Sequence, residues 1–518
     1  MKIVTFISIV ALLLFCASSQ AASPELLQSL TEKLDQWNVE EAWTEVKDHL
    51  GKESKDGQFL ELASLIAFHR GDYQEALRLM KSAVEAGGEE ERRRNFVLFM
   101  EQTLGVVTPL KRIESQHFMI RLDEKQDGIL ADYLTDTLET TYQLMAKQYG
   151  FQPREKIRIE VFPDAQSFYY ASSLSARDIE NGAVGIAKFN KLMLLSPRAL
   201  VHGYRWLDAI SHEYMHYLIF KLTANKAPIW FHEGLAKYEE TKWRGGPSYF
   251  SLLYQTLLSR ALSDQRLIRF ERMEPSLVRL ETAEEIQLAY AQSASAIDFI
   301  ITKVGEKGLK EVMRHMATSG SPGASESIKE VLGLSFGEFE ERWKEFLTSR
   351  GFKETGSVSV RRFKIKEGKT DEERLDLEEI KSVTSRNRTH LGDRLKERGR
   401  MSAAVLEYRR ALADTPDSVP LLNRLSSSLM AMNKKGEALE FLERAREISP
   451  DHPTSYTLLG QVYLESGDGK KAKEAFQEGL QINPFNPGVH LGLARAYEKL
   501  GDPTSALKEK EIARKLMQ

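Results

Sequence analysis

Residues 212–216 read His-Glu-Tyr-Met-His, two histidines four residues apart with a glutamate beside the first. Apolar residues recur around them at helical spacing, and residues 204–220 contain neither proline nor glycine. The pattern therefore predicts one helix through this segment. Residues four apart lie on the same helical face, so His212 and His216 can reach one metal ion while Glu213 acts as base toward a water molecule.

The pattern alone is not decisive, because it arises by chance in roughly two of every hundred chains of this composition. The alternative is an amphipathic helix whose two histidines only pack or face solvent. A second segment, residues 228–240, reads Pro-Ile-Trp-Phe-His-Glu-Gly-Leu-Ala-Lys-Tyr-Glu-Glu and offers Glu233 as a third ligand. The spacing leaves room for a short loop and an antiparallel helix that turns Glu233 toward the histidines. Two histidines and one carboxylate are a common ligand set of catalytic zinc.

The two segments resemble the peptidase MA-like (gluzincin) metallopeptidases, relatives of thermolysin and of aminopeptidase N. The resemblance extends over residues 110–350 and rests on His212, Glu213, His216, Trp230, Glu233, Gly234, Leu235 and Ala236. It implies that His212, His216 and Glu233 bind zinc. It also implies that Glu213 is the general base in hydrolysis of a peptide bond. One departure is a slightly shorter gap between the histidines and Glu233 than in aminopeptidases.

Further candidates surround this ligand set. Tyr290 is a candidate donor to the oxyanion formed when a peptide carbonyl is attacked, with a merely packed tyrosine as the alternative. Glu240 lies two turns beyond Glu233 and is a candidate acceptor for the far nitrogen of a ligating histidine. The alternative for Glu240 is a solvated glutamate. His232 points about 100° away from Glu233 and is expected to line the cleft or cap a turn. Lys237 stands where thermolysin-type enzymes carry an orienting carboxylate.

The N-terminus has the features of a secretory signal peptide over residues 1–21. Lys2 precedes an apolar run over residues 3–15, and Ser19-Gln20-Ala21 forms the cleavage site. No later segment approaches the roughly 18 apolar residues that a membrane helix needs. We expect an exported, periplasmic chain without a transmembrane segment in its mature form. Secretion, or anchoring by an uncleaved N-terminus, is the alternative.

Composition narrows the classes of protein further. A length of 518 residues predicts more than one domain. The 72 basic and 75 acidic residues give a net charge of −3, which provides no electrostatic reason to expect a nucleic-acid partner. The single cysteine, Cys16, lies inside the signal segment, and Phe15 stands where a lipoprotein carries a small residue. The mature chain is therefore expected to form no disulfide.

A period of 34 residues runs through the C-terminal part. Its columns are Pro416, Pro450 and Pro484; Leu391, Leu425, Leu459 and Leu493; Ala404, Ala438, Ala472 and Ala506; and Ala411, Ala445, Gly479 and Ala513. Thirty-four residues is the length of a tetratricopeptide repeat, in which small residues let paired helices approach. The turn inside each pair falls at Gly399, Asn433, Gly467 and Gly501. The period predicts four repeats over residues 385–518, whose concave face binds a protein or peptide partner.

The remaining segments complete the domain prediction. Residues 24–105 resemble two degenerate tetratricopeptide-like hairpins, although other helical hairpins would give the same pattern. Short β-type runs at residues 117–122, 157–162 and 191–195 predict a small sheet beside the motif helix, with a long helix over residues 128–149. Glycines in residues 182–185 would allow a close backbone approach near a sheet edge, or would form a plain turn. Residues 351–384 are rich in mixed charge and predict a linker.

The expected fold is an α+β metallopeptidase domain, a small sheet plus active-site helices, flanked by all-α tetratricopeptide-type repeats. We predict an exported zinc metallopeptidase, either an endopeptidase or an aminopeptidase-like hydrolase, whose repeats recruit a protein client. One alternative is an envelope chaperone or scaffold with a weak or inactive peptidase domain. Another is a helical adaptor in which the histidine motif is a coincidence.

Overall fold

The computed structural model describes residues 22–50, 55–246, 250–318, 323–352, 354, 360, 362–366 and 372–518. The chain divides into two compact units, with the boundary between Leu104 and Gly105. Helices dominate, and one five-stranded sheet lies in the second unit. The predicted fold class, a small sheet with helices followed by helical repeats, is confirmed. Of the helices described, none has both the length and the apolar content needed to cross a membrane.

The first unit is built from helix pairs. Its helices are α1 (Pro24–Asp35), α2 (Val39–His49), α3 (Gly57–His69), α4 (Tyr73–Glu85) and α5 (Glu90–Val107), the last of which crosses the unit boundary. Helix α1 packs with α2, and α3 packs with α4. A buried ion pair joins α5 to α3, since Arg93 Nε lies 2.9 Å from Glu61 Oε2. The same guanidinium donates to the carbonyl of Ala83 on α4, which locks the last three helices together.

A mixed sheet opens the second unit. Its strands are β1 (Lys111–Glu114), β2 (Phe118–Leu122), β3 (Ile157–Phe162), β4 (Gly185–Lys188) and β5 (Lys191–Leu195). Their order is β1-β2-β3-β5-β4, with parallel pairing only among β2, β3 and β5. The three predicted strands are therefore the central ones. Both edge strands were missed, and β4 is the edge beside the histidine motif.

The helices of the sheet region include the helix of the histidine motif, most of whose residues are buried. They are α6 (Glu124–Asp127), α7 (Leu130–Tyr149), α8 (Ala165–Ser172), α9 (Ala176–Glu180), α10 (Trp206–Leu222), α11 (Ile229–Glu239), α12 (Leu252–Ser263), α13 (Ala283–Thr318), α14 (Ala324–Leu332) and α15 (Phe336–Ser349). Helix α10 carries the histidine motif and packs against β4, β5, α7, α11 and α13. Most of its residues are buried, so its neighbours fix its position.

Helices α11 and α13 approach each other closely at Gly234. A Cβ atom at this position would lie 2.4 Å from the carbonyl oxygen of Ser293 on α13, far inside a normal contact. Only glycine therefore allows this packing distance. Glu233 is the preceding residue, so the helix contact at Gly234 also sets where the Glu233 carboxylate lies.

The C-terminal part consists of paired helices preceded by a short one. They are α16 (Glu372–Glu378), α17 (Val383–Glu397), α18 (Met401–Asp414), α19 (Val419–Ala431), α20 (Lys435–Ile448), α21 (Pro453–Glu465), α22 (Gly469–Ile482), α23 (Pro487–Lys499) and α24 (Pro503–Leu516). The residue at the turn inside each pair from α17 onward has a positive φ, at Gly399, Asn433, Gly467 and Gly501. The small residues of the alanine columns are buried. Leu391 departs from its column, because it is 47% exposed while Leu425 is fully buried.

The repeats dock on the loop that leads into α10. Arg205 Nε lies 2.8 Å from Asp451 Oδ1, and Arg205 Nη1 lies 2.8 Å from Glu478 Oε2. The buried indole of Trp206 donates to the carbonyl of Leu480 at the end of α22. The first turn of the motif helix is thus held directly by the repeat array.

The described part of the charged linker also contacts the sheet domain. Val201 donates its backbone N–H to Lys364, and Lys366 donates to Ala199, around an antiparallel bridge between Leu200 and Ile365. These residues are bound to the domain by backbone hydrogen bonds. The linker prediction from charge alone did not include this attachment.

We expect Gly234→Ala to lower the free energy of unfolding by about 2 kcal/mol, because the added methyl overpacks the contact between α11 and α13. Gly337→Ala is the matched control, since a Cβ at this exposed position in the first turn of α15 meets no atom within 4 Å. The control should be neutral or stabilising by up to about 1 kcal/mol. Denaturant unfolding of both variants measures the difference, and equal stabilities would contradict the packing argument.

Candidate metal centre

Three side chains converge from two helices, α10 and α11. His212 Nε2 lies 3.3 Å from Glu233 Oε2, and His216 Nε2 lies 3.4 Å from the same oxygen. The two imidazole rings, one turn apart on α10, meet edge to face with centroids 4.7 Å apart. The structure thus brings together the three residues that the sequence predicted as metal ligands.

The spacing of these atoms fits a metal ion. Zinc binds histidine nitrogen and carboxylate oxygen at about 2.0–2.2 Å in tetrahedral geometry, which places neighbouring ligand atoms about 3.3–3.5 Å apart. The two measured distances to Glu233 Oε2 lie in this range. The side chains are only 12–18% exposed, so the site is largely shielded while retaining access. The donor set and its geometry therefore fit a divalent transition metal such as zinc.

The three groups also shift one another's protonation. Burial raises the pKa of the Glu233 carboxyl, but His216 and His212 outweigh burial and hold that pKa well below its usual range. Burial lowers the pKa of His212, yet hydrogen bonds to Glu233 and Glu240 raise it to about 10. Negative charge is thus concentrated around the His212 imidazole. A metal cation can replace the proton that this imidazole carries.

Glu213 lies on the side of α10 that faces the sheet edge. Its side chain is 6% exposed, and burial raises its pKa. Its Oε2 atom is buried and has no hydrogen-bond partner within the described ranges. A Cβ atom at Gly185 of β4 would lie 2.6 Å from Glu213 Oε1, so glycine is needed for the carboxylate to reach this place. The glycine-rich segment near the edge therefore does permit a close approach, to Glu213 itself.

Glu240 and Lys237 form the support of His212. Glu240 Oε2 lies 3.1 Å from His212 Nδ1, and Glu240 Oε1 lies 2.6 Å from the Lys237 ammonium. Burial raises the pKa of Glu240, but Lys237 and His212 outweigh it and keep the carboxylate ionised. Glu240 therefore holds Nδ1 of His212, the nitrogen that faces away from Glu233. This agrees with the interpretation of Glu240 as an acceptor rather than a solvated glutamate. Lys237, a departure from the thermolysin pattern, orients that carboxylate.

Tyr290 and His232 complete the surroundings. The Tyr290 ring lies edge-on to His212 with centroids 6.3 Å apart, so the structure places this candidate donor beside the ligands. Burial and the Glu233 carboxylate raise the pKa of Tyr290 well above its ordinary value, which keeps the hydroxyl protonated. The His232 ring lies 5.7 Å from that of His216. Burial and His216 lower the pKa of His232 to about 3, so it lines the site as a neutral group.

Sequence reasoning missed the group that fixes the first turn of α10. Asp208 Oδ2 lies 2.7 Å from Arg244 Nη2, and Asp208 Oδ1 accepts hydrogen bonds from Arg244 Nε and Trp243 Nε1. Asp208 stands one turn before His212 on the same face of the helix. An acid in the apolar first turn of this helix is the signal that would have pointed to this partner.

Comparison with known families matches the same regions. A model described as the Peptidase MA superfamily matches residues 138–349, which include both helices that carry the three candidate ligands. Two tetratricopeptide repeat models match residues 390–453 and 463–509. Together these matches coincide with the resemblance and with the 34-residue period seen in the sequence.

Individual relatives match over short segments. The Hsp70-Hsp90 organizing protein of Triticum aestivum is 31% identical over 105 residues, which is 20% of this chain and 18% of that protein. The small glutamine-rich tetratricopeptide repeat-containing protein 2 of Mycosarcoma maydis is 27% identical over 104 residues, 20% of this chain and 30% of that protein. A crystal structure of MamA is 22% identical, covers 28% of this chain and 86% of that chain, and has a TM-score of 0.25. The chain thus spans under a third of the length of these two curated relatives.

We expect Glu240→Gln to weaken metal binding at this centre by roughly 10- to 100-fold, because an uncharged amide holds His212 Nδ1 less well. Competition against a chromophoric chelator measures the affinity. Glu345→Gln, at an exposed position on α15, is the control and should bind as the unmodified protein does. Equal affinities for both variants would show that Glu240 does not support the ligand.

Proposed function

We propose that this chain, a Peptidase MA superfamily domain followed by tetratricopeptide repeats, is an exported zinc-dependent peptidase whose repeats bind a protein client or partner. The observation that carries the proposal is the triangle of His212, His216 and Glu233, with ligand atoms 3.3 and 3.4 Å apart. The buried carboxylate of Glu213 borders it. A zinc ion held by these three residues would supply a Lewis acid for hydrolysis.

Glu213 has the properties of a general base. Its raised pKa favours uptake of a proton from the attacking water, and the same carboxyl then delivers that proton to the departing amine. Tyr290, which stays protonated, donates a hydrogen bond toward the oxyanion that develops on the peptide carbonyl. Glu213 and Tyr290, the two residues given these roles, both lie beside the candidate metal ligands.

The outer edge of β4 is suited to an extended peptide. It pairs with β5 on one side and is the last strand of the sheet. Glu213 lies against it at Gly185. A peptide that adds to this edge as a further strand would have its backbone next to the base, which favours a peptide substrate over a small ester or sugar.

The N-terminal residues are compatible with cleavage after Ala21. Ala22 is 7% exposed, and its backbone nitrogen lies 2.7 Å from Asp56 Oδ2. After cleavage this nitrogen would be an ammonium group, and Asp56 would pair with it. We therefore propose that the mature chain begins at Ala22 and is exported to the periplasm.

A chaperone or scaffold of the cell envelope is the second candidate function. The curated relatives named above favour it, since one is described as an organizing protein and the other as repeat-containing. In this case the repeats would bind clients and the metal centre would contribute structure. The two candidates differ in the fate of the bound client, which stays intact only on a scaffold.

We expect Glu213→Gln to keep the metal content of the unmodified protein and to reduce peptide hydrolysis by about 100- to 10,000-fold, because the amide cannot take up a proton. Turnover of a quenched-fluorescent peptide library and metal analysis are the two measurements. Glu284→Gln, exposed on α13, is the control and should retain full activity. Unchanged turnover in Glu213→Gln would refute Glu213 as base. Clients can also be crosslinked to the unmodified protein and to Glu213→Gln in the cell. If the clients are intact in both cases, the scaffold function is favoured.

Export has its own test. N-terminal sequencing of the protein from the periplasmic fraction should read Ala22-Ser23-Pro24. Asp56→Asn should lower stability of the mature chain by about 1 kcal/mol, since it weakens the ion pair with the new N-terminus. Recovery of the whole chain in the cytoplasmic fraction with residue 1 or 2 as N-terminus would contradict the proposal.

A further inference from the structure

A second cluster of metal-binding side chains lies away from the site described above. One donor atom each from His202, Asp376 and His452 lies within 4.8 Å of the other two. His202 belongs to the loop before α10, Asp376 to α16, and His452 to the turn before α21. Three segments that are remote in sequence therefore deliver two imidazoles and a carboxylate to one place. His452 is fully buried, and the other two side chains are 16–17% exposed.

We propose that His202, Asp376 and His452 form a second binding site for a divalent transition metal, of the zinc class. Its role is structural: it joins the loop before the motif helix, the linker helix and the repeat array. The donor set is one that zinc prefers, with nitrogen and carboxylate oxygen and no thiolate.

The position of His452 in the repeat supports a role outside its own helix. Ser418, His452 and Asn486 stand 34 residues apart, and each is the N-cap of a repeat helix. Serine and asparagine are residues that N-caps favour, and histidine is not. The Asn486 side chain caps α23, whereas Ser418 and His452 do not cap their helices through the side chain. The histidine instead lies beside His202, with ring centroids 4.9 Å apart.

The distance between His202 and Asp376 fits shared ligation of one metal ion. His202 Nε2 and Asp376 Oδ1 are 3.3 Å apart, and among the described residues neither atom has a hydrogen-bond partner of normal geometry. A separation near 3.3 Å is the edge expected between two ligands of a tetrahedral zinc ion.

Acidic and basic side chains both border the site, and Lys364 Nζ lies 3.7 Å from Glu379 Oε1. Glu379 Oε1 lies 3.9 Å from His202 Nε2 and is near enough to serve as a fourth ligand. Arg424 lies 3.9 Å from the other oxygen of Asp376 and is closer to Asp393, at 3.3 Å. Asp376 Oδ1 therefore remains directed at His202 while the arginine is held by a second carboxylate.

Such a site would tie the repeats to the catalytic helix. His202 precedes Trp206, the first residue of α10, by four residues. A metal ion bound by His452 and His202 would clamp the repeat array against the loop that Arg205 already anchors. Removing this ion should loosen the array without touching His212, His216 or Glu233.

The test is the metal content of the mature full-length chain, stripped with a chelator, reloaded with zinc alone and dialysed. We expect about two zinc ions per chain for the unmodified protein and about one for His452→Gln, for Asp376→Asn and for His216→Ala. The double variant His452→Gln with His216→Ala should hold none. His490→Gln is the matched control: it removes a buried repeat histidine that is bonded to Glu509 and the Pro484 carbonyl, and it should keep two ions.

Each result bears on one site alone. Loss of an ion in His216→Ala but not in His452→Gln or Asp376→Asn would overturn the second site and leave the proposed active site intact. Loss of an ion in His452→Gln and Asp376→Asn but not in His216→Ala would overturn the proposed metal at His212, His216 and Glu233. Asp376→Asn keeps the side-chain shape if His452→Gln does not fold. A cobalt titration that shows one rather than two tetrahedral absorption components would also contradict the proposal.

Discussion

The carboxylate of Glu233, wedged between the imidazoles of His212 and His216, is the constraint on which the site depends. Ionisable groups taken out of water are costly unless they are paired, and these three pair only if two helices meet at a fixed distance. Gly234 provides that distance, because its missing Cβ lets α11 lie against Ser293 of α13. The buried charges thus require the close helix packing, and the packing holds the charges in place.

The repeats are part of the support of this site. Asp208 and Arg244 hold the first turn of α10 from within the sheet domain. Arg205 and Trp206, at the start of the same helix, bind residues of the repeat array. The repeat array is therefore joined to the start of the motif helix by side-chain contacts and by a backbone hydrogen bond from Tyr204 to the Ile482 carbonyl. In the proposed function, these contacts would connect the client-binding array to the metal centre.

The sequence predicted the features that depend on local periodicity. Helical spacing placed His212 and His216 on one face, and the 34-residue period located turns such as Asn433, whose φ is positive in the structure. Strand β4 was missed, because Gly185–Lys188 is short and ends in a charged residue. Leu391 matched the period yet is exposed. The cluster at His202 joins three segments that are remote in the sequence, so no local pattern predicts it.

The most direct test of the account is diffraction from zinc-loaded crystals at the zinc absorption edge. The account predicts an anomalous peak about 2.0–2.2 Å from His212 Nε2, His216 Nε2 and one oxygen of Glu233. Ordered density for all three side chains without such a peak between them would contradict it.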